Sequence, residues 1–221
     1  MSHERRYPDL VTRKLVVFDV DSTLIDNEVI ELLADEAGSL ALVAEVTDRA
    51  MRGDIDFEAS LRERVQTLAG LSAEARRRAA ERITITPGVR ELISAVHAAD
   101  GWVCAVSGGF SEILGPLARD LRLDRWLANT LEVTERGDLT GELTGKIVDA
   151  EAKKRALLQW AVEGGFEALD TVAIGDGAND LLMMQAAGLS IAFCAKPIVR
   201  SAAMLAIDER DMRLAMALLG L

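Results

Sequence analysis

Lys14-Leu-Val-Val-Phe18 leads directly into Asp19-Val-Asp21-Ser22-Thr23, and this junction is the most informative feature of the chain. An apolar run of buried-strand type ends here in two carboxylates that are one residue apart. Where a strand ends the chain is already turning, so both carboxylates can converge on one ligand, and open α/β sheets bind ligands at this edge. Two like charges this close favour divided roles, with one as nucleophile or metal ligand and the other as general acid/base. An Asp pair that caps a turn before a helix is the alternative.

A second acidic cluster follows another apolar strand candidate. Thr171-Val-Ala-Ile174 runs at once into Gly175-Asp176-Gly-Ala-Asn179-Asp180. Because the ends of parallel strands lie side by side, the carboxylates of both clusters are expected to meet. They would form an oxygen-rich site for a hard cation, for which Mg2+ is the expected ion.

A third strand candidate ends in residues that suit a phosphate. Trp102-Val-Cys-Ala-Val106 precedes Ser107-Gly108-Gly109, where a hydroxyl and close backbone N–H groups are available. Lys153, on a later helix, would add a fixed positive charge. The alternatives are that Ser107 only caps a helix, and that Lys153 belongs with Lys154 and Arg155 to a solvated run of charge.

Taken in chain order, these segments resemble the four motifs of the haloacid dehalogenase (HAD) superfamily of phosphohydrolases. The four are Asp19-Val-Asp21-Ser-Thr, Ser107-Gly-Gly, Lys153 and Gly175-Asp176-Gly-Ala-Asn-Asp180. A narrower resemblance, to members that act on a phosphorylated amino acid, rests on Glu28, on the segment from Met51 to Val65 and on the segment from Gly141 to Lys153. The resemblance extends from about Leu15 to the last helix.

The resemblance implies an enzyme that hydrolyses the small phosphomonoester O-phosphoserine to serine and phosphate, the last step of serine biosynthesis. Asp19 would attack phosphorus and form an aspartyl phosphate, and Asp21 would be the general acid and base. Mg2+ would be held by Asp19, the backbone carbonyl of Asp21 and Asp176. Ser107, the Gly108 N–H and Lys153 would hold the phosphate oxygens.

The same resemblance implies a set of substrate-binding residues. Arg64 would bind the serine carboxylate and Glu28 the serine ammonium, while Met51 and Phe57 would line a closed cavity. Asn179 would bind substrate, and Asp180 would act behind the metal ligands or on substrate. The alternatives are a surface role for Arg64, a helix-start role for Glu28 and simple packing for the two apolar residues. Arg200 is a weaker candidate for holding substrate or a lid.

The chain pattern predicts an α/β fold: a doubly wound, mostly parallel sheet, as in an HAD-like Rossmannoid core, with an inserted helical cap domain. We expect the core at 1–26 and 83–221, and the cap at 27–82, where the pattern is helical throughout. Helices are predicted at 88–98, 110–121, 151–163, 178–187 and 211–219, and strands at 102–106, 129–133, 171–174, 189–193 and 204–207. A small β-excursion is expected over 131–144.

Composition limits the partners. The 221 residues include 36 acidic and 25 basic side chains, for a net charge of −11, which argues against nucleic acid or an anionic membrane as partner. The polar start predicts no secretory signal, and 181–195 is shorter than the ~20 residues that a spanning helix needs, so a cytoplasmic protein without an N-terminal regulatory domain is expected. Cys104 and Cys194 are predicted to pack in buried strands.

Two rival functions remain. A non-catalytic phosphoacceptor signalling module also combines acids, a hydroxyl residue and a lysine on a doubly wound sheet, but the helical insertion after the first strand speaks against it. A phosphatase or phosphotransferase of the same superfamily that acts on another small phosphomonoester is the second.

Overall fold

The computed structural model describes residues 13–221. The predictions about a secretory signal and an N-terminal regulatory domain concern residues 1–12 or what precedes them, and lie outside the described residues. The described strands are β1 Leu15–Phe18, β2 Trp102–Phe110, β3 Arg125–Val133, β4 Leu139–Thr144, β5 Thr171–Gly175, β6 Leu189–Phe193 and β7 Leu205–Ile207.

The described helices fall into two groups. Four follow β1 in the chain and precede α5 and β2: α1 Val29–Ala37, α2 Leu40–Met51, α3 Phe57–Gln66 and α4 Ala73–Glu81. The others alternate with the strands: α5 Val89–Ala98, α6 Ser111–Leu121, α7 Ala150–Gly164, α8 Leu181–Ala186, α9 Pro197–Ala202 and α10 Arg213–Leu219. Within 13–221, none is both long and apolar enough to cross a bilayer.

The strands of the described residues form one sheet in the order β4-β3-β2-β1-β5-β6-β7. All neighbours are parallel except β3 and β4, which form an antiparallel hairpin. β1 is central, with Phe18 in register with Ala105 of β2 and Ile174 of β5. The predicted doubly wound, mostly parallel sheet is therefore confirmed, and the three motif strands are neighbours.

Both faces of β1 are buried, which explains its unbroken apolar sequence. Val16 and Phe18 pack into the cluster that includes α5 and α6, whereas Leu15 and Val17 face the cluster that includes α7 and α8. This alternation places helices on both sides of the sheet. It leaves the carboxyl end of β1 as the point where the chain leaves the core.

The four helices α1–α4 start and stop on local signals. The Asp56 side chain accepts a hydrogen bond from the Ala59 N–H (2.8 Å) at the start of α3, and Ser72 does the same for α4. Gly38 ends α1 in a left-handed conformation (φ 71°). The two linkers to the core pair with each other through the Asp26 N–H and the Thr84 carbonyl (2.9 Å). We call residues 27–82 the cap; this division stays a prediction.

The largest differences from the predicted boundaries are in β2, in β3 and in the helix predicted at 178–187. β2 continues past 106 to Phe110. The prediction stopped too early because glycines follow Ser107, and glycines weaken the sequence pattern of a strand. β3 starts at Arg125 rather than at 129, and its first residues are exposed, so they show no buried alternation. The helix predicted at 178–187 is a 3-10 turn, Ala178–Asp180, followed by the shorter α8.

One cysteine prediction is wrong. Cys104 is buried in β2, as expected, but Cys194 lies just after β6 and is partly exposed. Its φ of 46° shows that the chain turns out of the strand at this residue, although its N–H still donates to the Ile207 carbonyl of β7 (2.7 Å).

Candidate active site

The site is built around the turn that follows β1. The Asp19 N–H donates to the Ile174 carbonyl (2.8 Å), and its Oδ1 accepts from the Val20 N–H (2.7 Å), so this carboxylate is held at the sheet edge. Asp21 Oδ1 accepts from the Val29 N–H (3.0 Å), the first residue of α1. The residue after Asp21, Ser22, has a φ of 56°, a left-handed conformation that non-glycine residues rarely adopt. One carboxylate therefore belongs to the core and the next is tied to the cap.

Lys153 is fully buried between two carboxylates. Its Nζ lies 2.6 Å from Asp19 Oδ1 and 2.8 Å from Asp180 Oδ1. α7 carries this lysine, and starts where the Asp149 side chain accepts from the Ala152 N–H (2.7 Å). Burial acts to lower the pKa of the Lys153 ammonium, but Asp180 and then Asp19 outweigh it and raise that pKa above its usual range. The alternative of a solvated run of charge is wrong for Lys153.

The second acidic motif meets the first, as predicted. Carboxylate oxygens of Asp19, Asp176 and Asp180 all lie within 4.8 Å of one another. Asp180 is fixed by the Gly177 N–H, which donates to its Oδ2 (3.0 Å), and Asp176 accepts from the Thr23 hydroxyl (3.3 Å). Hard oxygen donors at this spacing suit a cation of the Mg2+ type.

The charge balance of the cluster also favours a bound cation. Burial, and then the Asp180 carboxylate, raise the pKa of Asp19 well above its usual range in spite of Lys153. Burial and then Glu28 raise the pKa of Asp21 to about 7, and burial and then Asp180 raise that of Asp176 to about 6. The single ammonium of Lys153 does not neutralise the buried carboxylates of this cluster. A bound cation would therefore stabilise their charged forms.

The phosphate motif lies at the end of β2, beside these acids. The buried Ser107 Oγ accepts from the Gly109 N–H (2.7 Å). A Cβ on Gly109 would lie 3.0 Å from that Oγ and 3.1 Å from Asp21 Oδ2, so a side chain there would crowd the site. α6 begins only at Ser111, with Phe110 before it, so the alternative of a helix cap for Ser107 is wrong.

A cavity of about 130 Å³, here called the acidic cavity, joins core and cap. The cap contributes Glu28, Ile30, Phe57, Leu61 and Arg64, and the core contributes Asp19, Asp21, Gly108, Gly109, Phe110, Asp176, Gly177, Asn179 and Lys196. Arg64 is held by its Nε, which donates to the Ser60 carbonyl (3.2 Å). Burial lowers the pKa of Arg64, although Glu28 and Asp21 oppose this effect.

The structure does not bring every candidate to this cavity. Met51 is 73% exposed and lines a wider neighbouring cavity of about 570 Å³, which shares Phe57 and Arg64 with the first. Arg200 pairs with Asp208 on the surface (2.8 Å) and lines neither cavity. The substrate role of Met51 stays a prediction, as do the roles of the other site residues.

Sequence reasoning missed three neighbours of the site. Asn129 is buried in β3, where its Nδ2 donates to the Gly108 carbonyl (2.8 Å). Lys196 lines both cavities, and Thr23 binds Asp176. Only Asn129 had a usable signal, because an amide inside an apolar strand needs polar partners.

Comparison with known proteins agrees with this geometry. Residues 16–185 match the family described as haloacid dehalogenase-like hydrolase, so the chain belongs to this family of hydrolases. This confirms the resemblance and decides against the non-catalytic signalling module.

Within this family, the chain is similar to two relatives and one solved structure that share one description. The chain is 48% identical to a phosphoserine phosphatase of Streptococcus thermophilus, over 90% of this chain and 92% of that protein. It is 49% identical to a phosphoserine phosphatase of Streptomyces coelicolor over 95% of this chain, but spans only 51% of that relative's length. It superposes with a TM-score of 0.87 and 43% identity on a structure described as a phospho-aspartyl intermediate analogue of phosphoserine phosphatase, covering 93% of this chain and 98% of that one.

Proposed function

We propose that this chain hydrolyses O-phosphoserine to serine and inorganic phosphate, the last step of serine biosynthesis. The observation that carries the proposal is the two-sided acidic cavity, whose core wall suits a phosphate and whose cap wall carries Arg64 and Glu28. A guanidinium binds a carboxylate through paired hydrogen bonds, and a carboxylate binds an ammonium, so the cap wall complements an amino acid. The names of the relatives support the same substrate.

The first half of the reaction is assigned to the β1 turn. Asp19 attacks phosphorus in line and becomes an aspartyl phosphate, while the serine oxygen leaves. Asp21 gives this oxygen a proton, then takes one from the water that hydrolyses the aspartyl phosphate. Burial and then Glu28 raise the pKa of the Asp21 carboxyl, which favours a proton on it that can be given to the leaving oxygen.

The remaining core residues position the phosphate. The Ser107 hydroxyl, the Gly108 N–H and the Lys153 ammonium hold its oxygens, and positioning of this kind supplies most of the catalysis in phosphoryl transfer. Asp180 acts from behind, since its two oxygens hold Lys153 (2.8 Å) and the Gly177 N–H (3.0 Å).

We assign Mg2+ to Asp19, the backbone carbonyl of Asp21 and Asp176, with Asn179 directed at substrate. Two of these ligands, Asp19 and Asp176, have carboxylate oxygens within 4.8 Å of each other, and a carboxylate pair of this kind fits the ion. When bound, Mg2+ supplies positive charge that orients the phosphate and offsets its repulsion from the carboxylates.

Chelation is expected to remove activity, and added Mg2+ to restore it. Ca2+ should support turnover poorly, because its longer bonds and higher coordination disturb in-line geometry. Phosphate release and the thermal midpoint are measured across a Mg2+ titration, and Asp176→Asn should shift both curves to higher Mg2+. The matched control is Asp170→Asn. Asp170 pairs with Lys14 (2.8 Å) away from the cavity, so this substitution should leave the Mg2+ dependence of both quantities unchanged. Full activity in excess chelator contradicts the metal assignment.

Arg64→Ala is expected to lower kcat/KM for O-phosphoserine, with a loss of transition-state stabilisation of ~2–4 kcal/mol, because a desolvated charge-assisted contact with the substrate is removed. The change for 4-nitrophenyl phosphate should be far smaller. Glu28→Gln should act in the same direction. The measurement is the ratio of the two specificity constants. Arg62→Ala is the control, since Arg62 lies on the same helix but pairs with Glu58 at the surface (2.8 Å). Equal ratios in all proteins would favour another small phosphomonoester as the substrate.

A further inference from the structure

The β3–β4 hairpin contacts both walls of the acidic cavity through residues that the proposed mechanism does not use. Its core end is Asn129, which is buried and satisfied on both sides. The Asn129 Nδ2 donates to the Gly108 carbonyl (2.8 Å), and its Oδ1 accepts from the Val148 N–H (2.8 Å). Gly108 belongs to the phosphate wall, and Val148 shortly precedes α7, which carries Lys153. This end of the hairpin is therefore fixed to the phosphate-binding side.

The other end of the hairpin is bonded to the cap. Leu139 of β4 accepts from the Gly70 N–H (2.8 Å) through its carbonyl, and donates to the Leu71 carbonyl (3.0 Å) through its N–H. Arg76 of α4 adds a bond from its guanidinium to the Gly137 carbonyl (2.9 Å). These contacts come in addition to the two linkers, so the cap is attached to the core at a separate point.

Gly141 places β4 directly against the end of the helix that carries Arg64. A Cβ at this position would lie 3.1 Å from the Ala69 Cβ and 3.3 Å from the Gln66 Cα. Gln66 ends α3, and the Thr67 hydroxyl donates to the Arg64 carbonyl (2.7 Å), so these residues belong to the same turn. A methyl group on β4 would therefore push on the turn that holds Arg64.

We propose that the β3–β4 hairpin is a strut that sets the distance between the phosphate wall and Arg64, and that Gly141 is its positioning residue. This role rests on the proposed function. It means that the hairpin determines which length of substrate can reach the phosphate wall and Arg64 together. A phosphorylated amino acid must reach both ends of the cavity at once, whereas an aryl phosphate uses only the phosphate wall. Displacing the turn by a fraction of an ångström changes the first fit and spares the second.

The test compares Gly141→Ala with Gly137→Ala. Both positions have a left-handed backbone (φ 91° and 86°), so both variants carry the same kind of strain, but a Cβ at Gly137 meets nothing within 4 Å. We expect Gly141→Ala to raise KM for O-phosphoserine about 10–100-fold, with kcat/KM for 4-nitrophenyl phosphate nearly unchanged, because small misplacements of a binding group carry costs of this size. Gly137→Ala should leave the ratio of the two specificity constants at the wild-type value.

Wild type and Arg64→Ala are measured in the same series, so that two failures are separable. If Arg64→Ala leaves the ratio unchanged, the proposed function is wrong. If Arg64→Ala changes this ratio and Gly141→Ala does not, the proposed role of the hairpin is wrong. The same conclusion follows if Gly137→Ala changes the ratio as much as Gly141→Ala does. Should Gly141→Ala fail to fold, Arg76→Ala replaces it, with Arg77→Ala as control because Arg77 pairs with Glu81 at the surface. Arg76→Ala must then shift the ratio in the same direction, and an unchanged ratio overturns the proposal.

Discussion

Asp19→Asn is expected to lower the rate of phosphate release from O-phosphoserine by about 10⁴-fold or more, because a neutral amide cannot serve as the phosphate acceptor. The fold should persist. Asn keeps the shape, Lys153 keeps its contact with Asp180 (2.8 Å), and one buried negative charge is removed from a crowded cluster. Turnover and the thermal midpoint are measured together, so that lost chemistry is distinguished from lost structure.

Asp208→Asn provides the matched control. Asp208 also follows a strand, β7, but it pairs with Arg200 (2.8 Å) outside the cavity, so its substitution should leave turnover near wild type. An Asp19→Asn protein that retains a substantial rate would remove the nucleophile assignment.

Lys153→Met is expected to act on stability as well as on rate. Without the ammonium, Asp19 and Asp180 face each other in a buried site with no cation between them. Breaking a buried ion pair by removing one partner costs about 3–5 kcal/mol in the free energy of unfolding. Loss of a preorganised phosphate donor should lower kcat/KM by about 10²–10³-fold.

The stability measurement is denaturant unfolding in excess chelator, where no added cation can replace the ammonium. Lys154→Met, one residue along α7 and only partly buried, tests the loss of a positive charge from the same helix and should cost far less. Equal unfolding free energies for the two variants would show that the buried pair contributes little.

The sheet and the meeting of three of the four motifs were predictable because each of these three follows an apolar run too short for a helix. Once β1, β2 and β5 are parallel neighbours, Asp19, Ser107 and Asp176 must lie at one edge. The role of Lys153 was less accessible. Its neighbours Lys154 and Arg155 look like solvated charge, and only the fold buries one of the three between carboxylates.

The contacts of the hairpin could not be predicted from local sequence. Its first strand starts with the exposed residues Arg125–Leu127, and its bonds to Gly108 and to Gly70 join segments far apart in the chain. Gly141 has a left-handed φ, like Gly137, but only the packing of Ala69 and Gln66 distinguishes the two positions. The prediction for Cys194 failed because the left-handed φ of 46° at this residue, where β6 has ended, has no signal in the apolar run before it.

Transfer of the phosphoryl group from O-phosphoserine to Asp19 is the proposed step on which the other assigned roles depend. The most direct measurement mixes the wild-type protein with Mg2+ and radiolabelled O-phosphoserine, quenches the first turnovers with acid and maps the labelled peptide. We expect an acid-stable, hydroxylamine-sensitive label on the peptide that contains Asp19, and none in Asp19→Asn. A label on Ser107 or on any other residue, or a label that survives in Asp19→Asn, would contradict it.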